Sequence, residues 1–433
     1  MMFYPHTGVN EKGHLTLGGL DCIDLAKEYG TPLYLLDTDA VRANCRIYRE
    51  AVAEFFGGES YPVYASKALC FSGIYPIIKE EGLGADCVSG GEIYTALSAG
   101  FPAEKIFFHG SNKTRREICE ALDAGVGYFV VDNTEELSLL DSLAGEKGRV
   151  QKILLRITPG IDPHTHKYVS TGRIDSKFGS AIPTGVAEAI TAEALKKKNI
   201  SLEGFHSHIG SQIFDAEPFV REAEVLATFA ADMSDRYGCA FSVLNLGGGI
   251  GVPYTRYDRR PDRREIIRTM AEALKRVLRG RNKEIPRVIL EPGRSIVADA
   301  GVTLYTVGSV KRLPGMRTYV SVDGGMTDDP RYALYSSHYT ALVADRAGEE
   351  ASEIVTVAGR CCESGDLLGE ELELQSPKAG DILAFLTTGA YNYSMASNYN
   401  RVPRPPVVTV GGGQARLAVR RESYADLTRN DIL

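Results

Sequence analysis

Between about residues 38 and 295 the chain alternates, eight times over, a short apolar run with a longer charged stretch of helical spacing. The runs are YPVYAS (61–66), GADCVS (84–89), KIFFHG (105–110), GYFVVD (127–132), KILLRI (152–157), LEGFHSHIG (202–210), VLNLGGG (243–249) and RVILEPG (287–293). The intervening stretches, such as TRREICEALDAG and REAEVLATFAADMSDRYG, carry apolar residues at helical spacing and often stop at glycine, a helix-ending signal. Eight strand–helix repeats predict a (β/α)8 TIM-type barrel. A doubly wound open sheet would show the same alternation, but the count of eight argues against it.

Past residue 295 the texture changes. VTLYTVGSVKRL, TYVSVDGG, SEIVTVAG, DILAFLTTGAY and RPPVVTVGG are β-branched, alternating and separated by Gly, Pro and Asp. This predicts an antiparallel β-barrel or sandwich. TPLYLLD (31–37) reads as a further strand of the same domain. The expected fold is therefore α/β plus β: a barrel over 37–295, inserted into a β domain made of 1–36 and 296–433.

At 433 residues and 44% hydrophobic, the chain can bury a large core. Its 49 basic and 56 acidic residues give a net charge of −7 with no basic excess, which argues against a nucleic-acid partner. No run approaches 18 apolar residues, and MMFYPHTGVNEKGHL is not built like a signal peptide, so neither a membrane partner nor export is expected. The eight cysteines show neither a disulfide framework nor a CxxC metal pattern, which suits a reducing cytoplasm.

Barrels of this kind build their sites where the strands end. At those ends stand Lys67, Asp86, His109, the pair His206 and His208, the loop Gly247-Gly248-Gly249-Ile250-Gly251, Glu291 and Arg294. A strand-end lysine is ordinarily a surface residue. Val63, Ala65 and Lys67 share parity, however, so a strand with Val63 inside aims Lys67 inside too. An inward ammonium needs a purpose, and Schiff-base formation is one. The glycine loop lacks the dinucleotide and P-loop spacings, and by itself is a tight turn. After a seventh barrel strand, such a loop is a recurrent phosphate cradle. Lysine plus cradle suggest pyridoxal phosphate. Glu291 would then keep the pyridine nitrogen protonated, and Arg294 would bind a phosphate or carboxylate in a bidentate manner. The competing reading takes His206-Ser-His208 as a metal-binding pair of a hydrolase. It lacks the further histidine and aspartate such a site wants, so no metal is expected. His208 would instead lie on the flat cofactor, with His206 one layer deeper.

The stretch RCCESGD (360–366) sets two cysteines side by side. Neighbouring Cα atoms lie ~3.8 Å apart, too close for a relaxed disulfide, so at least one thiol is free.

Taken together, YASKA (64–68), HGSNK (109–113), HSHIGSQ (206–212), GGGIG and EPGRS (291–295) follow one another as they do in the fold-type III pyridoxal-phosphate enzymes, and the chain resembles that family over nearly its whole length. This is the alanine racemase-like barrel family, which includes the decarboxylases of basic amino acids. SKFG (176–179), DGGMTDDPRYALY (323–335), CCESGD and GAYNYSMAS (389–397) resemble the members acting on meso-diaminopimelate. The resemblance implies that Lys67 carries the cofactor, with Asp86 near it, that His208 stacks on its ring, and that Glu291 meets its nitrogen. It implies that Ser211, Gly247, Gly248, Gly249, Gly293, Arg294 and Tyr391 hold the phosphate. Arg294, Arg331, Tyr335, Glu363 and Tyr391 would bind substrate. Cys362 and Glu363 would enter from a second copy, making a homodimer with shared sites. The family's usual proline after the arginine matching Arg331 is absent; Tyr332 stands there, preceded by Pro330.

Decarboxylation leaves a carbanion that must be reprotonated by a placed acid. Cys362 suits this, since a thiol is mostly protonated at neutral pH, and burial and Glu363 would push its pKa up. A substrate ending in both ammonium and carboxylate suits Glu363 with Arg331 and Tyr335. The expected reaction is decarboxylation of meso-2,6-diaminopimelate at its D-centre to L-lysine and CO2, the last step of lysine biosynthesis. The alternative is a related pyridoxal-phosphate decarboxylase acting on ornithine, lysine, arginine or a carboxypolyamine.

Overall fold

A computed structural model describes residues 6–162 and 176–432. The chain divides into two compact units. One comprises residues 44–251 and 260–293; the other comprises residues 1–43, 252–259 and 294–433.

The first unit is the barrel. Its strands are Tyr61–Ala65, Gly84–Cys87, Ile106–Phe108, Tyr128–Val131, Gln151–Thr158, Ile200–His206, Val243–Asn245 and Arg287–Leu290. Each pairs in parallel with the next, and the eighth pairs with the first through Ile289 and Tyr61, which closes the ring. All eight predicted runs are strands. Alternate residues fill the interior: Val63, Phe107, Tyr128, Val130, Leu154, Val243 and Ile289 form one buried cluster, in which Phe107 and Tyr128 stack at 4.6 Å. The crossover helices are capped as their sequences suggest. Thr114 and Glu117 form a reciprocal capping box ahead of Arg115–Ala124, and left-handed Gly125 ends that helix.

The second unit is mostly sheet, as expected, but mixed rather than antiparallel. Its long central strand, Gly301–Arg312, pairs antiparallel with Leu33–Asp37, Thr318–Val322 and Ile382–Leu386. Leu33–Asp37 is the strand read in TPLYLLD. It runs parallel to Val407–Gly411, and Thr318–Val322 runs parallel to Glu353–Ala358. Alternation reports which face of a strand is buried and carries no information on the direction of its neighbour, so these two parallel pairings were not legible. The core of this unit gathers Leu15, Leu17, Leu33, Leu35, Val302, Leu304, Leu386 and Val408. Residues 252–259, inside the interval expected for the barrel, group with this unit. Among the described residues no helix is long and apolar enough to cross a membrane, and none of the eight cysteines is in a disulfide.

Candidate active site

At the end of the eighth barrel strand, Glu291 is buried among side chains from three other strands. Asn245 Nδ2 donates to Oε1 at 2.6 Å, His206 Nε2 lies 3.2 Å from Oε2, and His109 Nε2 lies 2.8 Å from Oε1. Burial pushes this carboxyl up, but the two imidazoles beside it prevail and hold it well below the usual range, so it stays ionised. Burial drives His206 down to about 3 against the pull of Glu291. The ring is therefore neutral, and it donates to Glu291 only as the tautomer protonated on Nε2. Asn245 also accepts the Gly247 amide at 2.9 Å, which ties the glycine loop to the Glu291 support.

The pair His206-Ser-His208 does not converge on one point. His206, His109 and Glu291 bring ligand atoms within 4.8 Å of one another, whereas His208 turns to the glycine loop and accepts from the Gly248 amide at its Nδ1 (3.3 Å). Burial, Lys67 and Arg156 together hold the His208 imidazole well below its ordinary pKa, so its ring is neutral.

Lys67 is not the last residue of the first strand. That strand ends at Ala65, and Lys67 sits in a one-turn 3-10 helix, Ser66–Ala68. Strand parity does not extend through such a turn, yet Nζ still approaches the strand ends, 3.5 Å from Asp86 Oδ2. Asp86 is fully buried and neither oxygen has a hydrogen bond, while the lysine side chain is 41% exposed. An accessible amine thus stands over a buried carboxylate.

The loop after the seventh strand needs its glycines for close approach. Gly247 and Gly249 adopt φ of 59° and 118°, a region costly for L side chains. A Cβ on Gly248 would overlap the Glu291 carbonyl, and one on Gly249 the Gly210 carbonyl. The loop is stitched to the one containing Ser211 by Ile213 N to Gly249 O (3.0 Å) and Gly251 N to Ile213 O (2.9 Å). Gly293 packs where a Cβ would lie 2.8 Å from that of Ala65.

These groups fit a pyridoxal phosphate: an ionised carboxylate for the ring nitrogen, a neutral imidazole, an accessible amine and a backbone cradle with no room for side chains.

The sheet unit holds a second cluster. The guanidiniums of Arg294 and Arg331 lie 4.8 and 5.5 Å from the centre of the same ring, Tyr391. Arg294 also donates to the Tyr254 hydroxyl at 2.5 Å, and Arg331 lies 4.8 Å from the Tyr335 ring. Both arginines are buried. Tyr391 itself has φ of 61°, an unusual conformation for an aromatic residue. Two buried cations on one ring make an anion-binding arrangement.

The paired cysteines occupy a turn just past the strand that ends at Ala358. Cys361 is partly buried, and burial with Asp366 nearby pushes its thiol up to about 11. Cys362 is exposed in the single chain. Glu363 curls onto its own turn, accepting the Gly365 amide at 3.2 Å.

Three members of the site escaped the sequence reading of roles. His109 and Asn245 hold Glu291. Arg156, its guanidinium 4.3 Å from the Phe178 ring, bears electrostatically on Asp86, Asp132, Glu291, His206 and His208. Each had a signal: a polar or charged residue within or ending an apolar run (KIFFHG, VLNLGGG, KILLRI).

Residues 38–298 match the family model for the pyridoxal-dependent decarboxylases, pyridoxal binding domain. The chain belongs to that family. At full length it is similar to the diaminopimelate decarboxylases of Bacillus subtilis (48% identical, covering 100% of this chain and 98% of the relative) and Staphylococcus aureus (42%, 98% and 98%). Among solved structures it is similar to the M. jannaschii diaminopimelate decarboxylase in complex with L-lysine, with a TM-score of 0.91 and 35% identity over 100% of this chain and 99% of that one.

Proposed function

We propose that the protein decarboxylates meso-2,6-diaminopimelate at its D-centre, giving L-lysine and CO2. The observation that carries the substrate assignment is the pair of buried guanidiniums sharing Tyr391. A substrate that is simply a diamine acid would need carboxylates at its far end, as ornithine or lysine would. Arg331 with Tyr335 instead suits a distal carboxylate, and Glu363 suits the ammonium beside it.

Bound pyridoxal phosphate supplies the electron sink that makes loss of CO2 from an amino acid feasible. The chain's own residues do the rest. Lys67 offers the amine that holds the cofactor, and Asp86 accompanies it. Glu291, kept ionised by His109, His206 and Asn245, would keep a proton on the ring nitrogen. Neutral His208 would face the ring without adding a competing positive charge. Gly249 and Gly293 would offer amides and Ser211 a hydroxyl to the phosphate, with Arg294 and Tyr391, while Gly247 and Gly248, whose amides go to Asn245 and His208, would leave it room. Cys362 Sγ delivers its proton to the carbon that has lost CO2, leaving a thiolate that solvent reprotonates. Lys67 and Cys362 belong to different units, and we assign Cys362 and Glu363 to the site of a second copy in a homodimer.

The test is incubation of the holoenzyme with meso-diaminopimelate, with chromatography for lysine and trapping of CO2. Equimolar lysine and CO2 are expected. Cadaverine or putrescine from lysine or ornithine, with no lysine from diaminopimelate, would return the assignment to the alternative decarboxylases.

A further inference from the structure

The segment before the C-terminal sheet strands contains an unusual backbone pair. Asn400 (φ 52°, ψ 22°) and Arg401 (φ 57°) are consecutive non-glycine residues in the left-handed region. Asparagine tolerates that region; arginine does not do so readily, and each such residue costs on the order of 1 kcal/mol or more. A single left-handed residue often ends a helical turn. Two in succession persist only where the surroundings hold them.

Here the surroundings do. Asn398 Nδ2 donates to Val402 O at 3.0 Å and to Glu422 Oε2 at 2.6 Å. Arg401 donates to Leu427 O at 2.7 Å and to Asp431 Oδ2 at 3.1 Å. The C-terminal residues 422–431 therefore brace the turn. What the turn delivers is the Asn400 side chain, whose Oδ1 accepts the backbone amide of Cys362 at 2.9 Å.

That bond completes a series. Three consecutive amides of the cysteine turn each find a different acceptor: Arg360 N meets Gly324 O (2.9 Å), Cys361 N meets Asp366 Oδ2 (2.6 Å), and Cys362 N meets Asn400 Oδ1. Asp366 is itself buried and also takes the Met326 amide at 2.6 Å. The first two acceptors fix the turn. The third holds the amide of Cys362 itself, and in the single chain the Cys362 side chain is exposed. Misplacing a reacting group by about 1 Å can cost ~100-fold in rate.

We infer that Asn400 is a positioning residue for the Cys362 thiol, held in a left-handed turn so that its amide oxygen can pin the Cys362 backbone. This rests on the reading of Cys362 as the proton donor.

The test compares Asn400→Gly, Asn400→Asp and Cys362→Ala in the holoenzyme, with the rate of Cys362 alkylation by iodoacetamide as a second readout. Glycine accepts the left-handed backbone without strain, so Asn400→Gly should fold, keep the visible cofactor spectrum and keep KM within about twofold. Its kcat should fall about tenfold to a hundredfold, and Cys362 alkylation should change severalfold. Asn400→Asp keeps both the acceptor and the backbone tolerance, and should restore kcat to within about threefold of the parent. An Asn400→Gly enzyme with parental kcat and alkylation rate, beside an inactive Cys362→Ala, would overturn the role of Asn400 alone. Near-parental turnover by Cys362→Ala would remove the reading of Cys362 and the inference with it. Parallel loss of stability, KM and kcat in Asn400→Gly would reduce Asn400 to a structural residue.

Discussion

Glu222 is an acid with little room for a charge. It is fully buried on the helix Glu217–Tyr237, accepts the Ser207 hydroxyl at 2.6 Å through Oε1, and has no hydrogen-bond partner at Oε2. Burial, reinforced by Glu291, pushes its pKa up to about 8. Ser207 lies between His206 and His208, so this acid is neutral directly behind the end of the strand Ile200–His206. The sign of its effect on stability follows from proton counting. Between its ordinary value of 4.5 and about 8 the unfolded chain has lost the proton that the folded chain keeps. Stability from this group therefore falls as pH rises through that window, by up to ~1.4 kcal/mol per pH unit. Glu222→Gln should raise Tm at pH 8 by several degrees and change it little at pH 5. Equal offsets at both pH values, in thermal melts followed by circular dichroism, would show that Glu222 is charged in the native state.

At the scale of elements, the short helix Arg331–Tyr335 carries two of the residues proposed to bind substrate. Five residues do not hold a helix on their own, and the proline expected after Arg331 is missing. The structure supplies two substitutes. Pro330 occupies the N-cap position, and left-handed Ser336 (φ 51°) closes the other end. Tyr332, on a different face from Arg331, donates its hydroxyl to Glu370 Oε2 at 2.8 Å, and Glu370 in turn meets Arg317 at 2.8 Å. The strand Leu367–Leu374 thereby anchors the helix. Tyr332→Phe removes a hydrogen bond to a charged but partly solvated group, a loss on the order of 1 kcal/mol. KM for diaminopimelate should rise about threefold with kcat unchanged. Steady-state kinetics that showed the loss in kcat instead would mean that the helix serves the chemistry rather than the grip on the distal end.

For the whole molecule, the proposed proton donor and the lysine proposed to hold the cofactor lie in different units of the chain. If the site is completed by a second copy, chains carrying Lys67→Ala and chains carrying Cys362→Ala are each inactive. Mixed and re-associated, they form heterodimers in which one of the two sites has both residues intact. Random mixing makes about half the dimers hybrid, so activity should return to about a quarter of the parental value. Mixtures that stay inactive, with hybrid dimers shown by native mass spectrometry, would place both residues in one chain's own site.

The eight strands, the change of texture near residue 295 and the early strand at 33–37 were readable because periodicity and turn residues are local properties of a sequence. The residues proposed to hold the cofactor stood out because a charged or glycine-rich ending on an apolar run is itself anomalous. The support around Glu291 was not, since Asn245 and His109 reach it from strands far away in the chain and their spacing encodes no distance. Nor was the strand direction in the sheet unit, which depends on partner choice. The exposure of Cys362 and the turn that pins it were decided by contacts among residues 324, 366 and 400. The sequence alone thus determined which residues could do the chemistry. Tertiary structure decided their protonation and their placement, because burial and long-range hydrogen bonds exist only once the chain has folded.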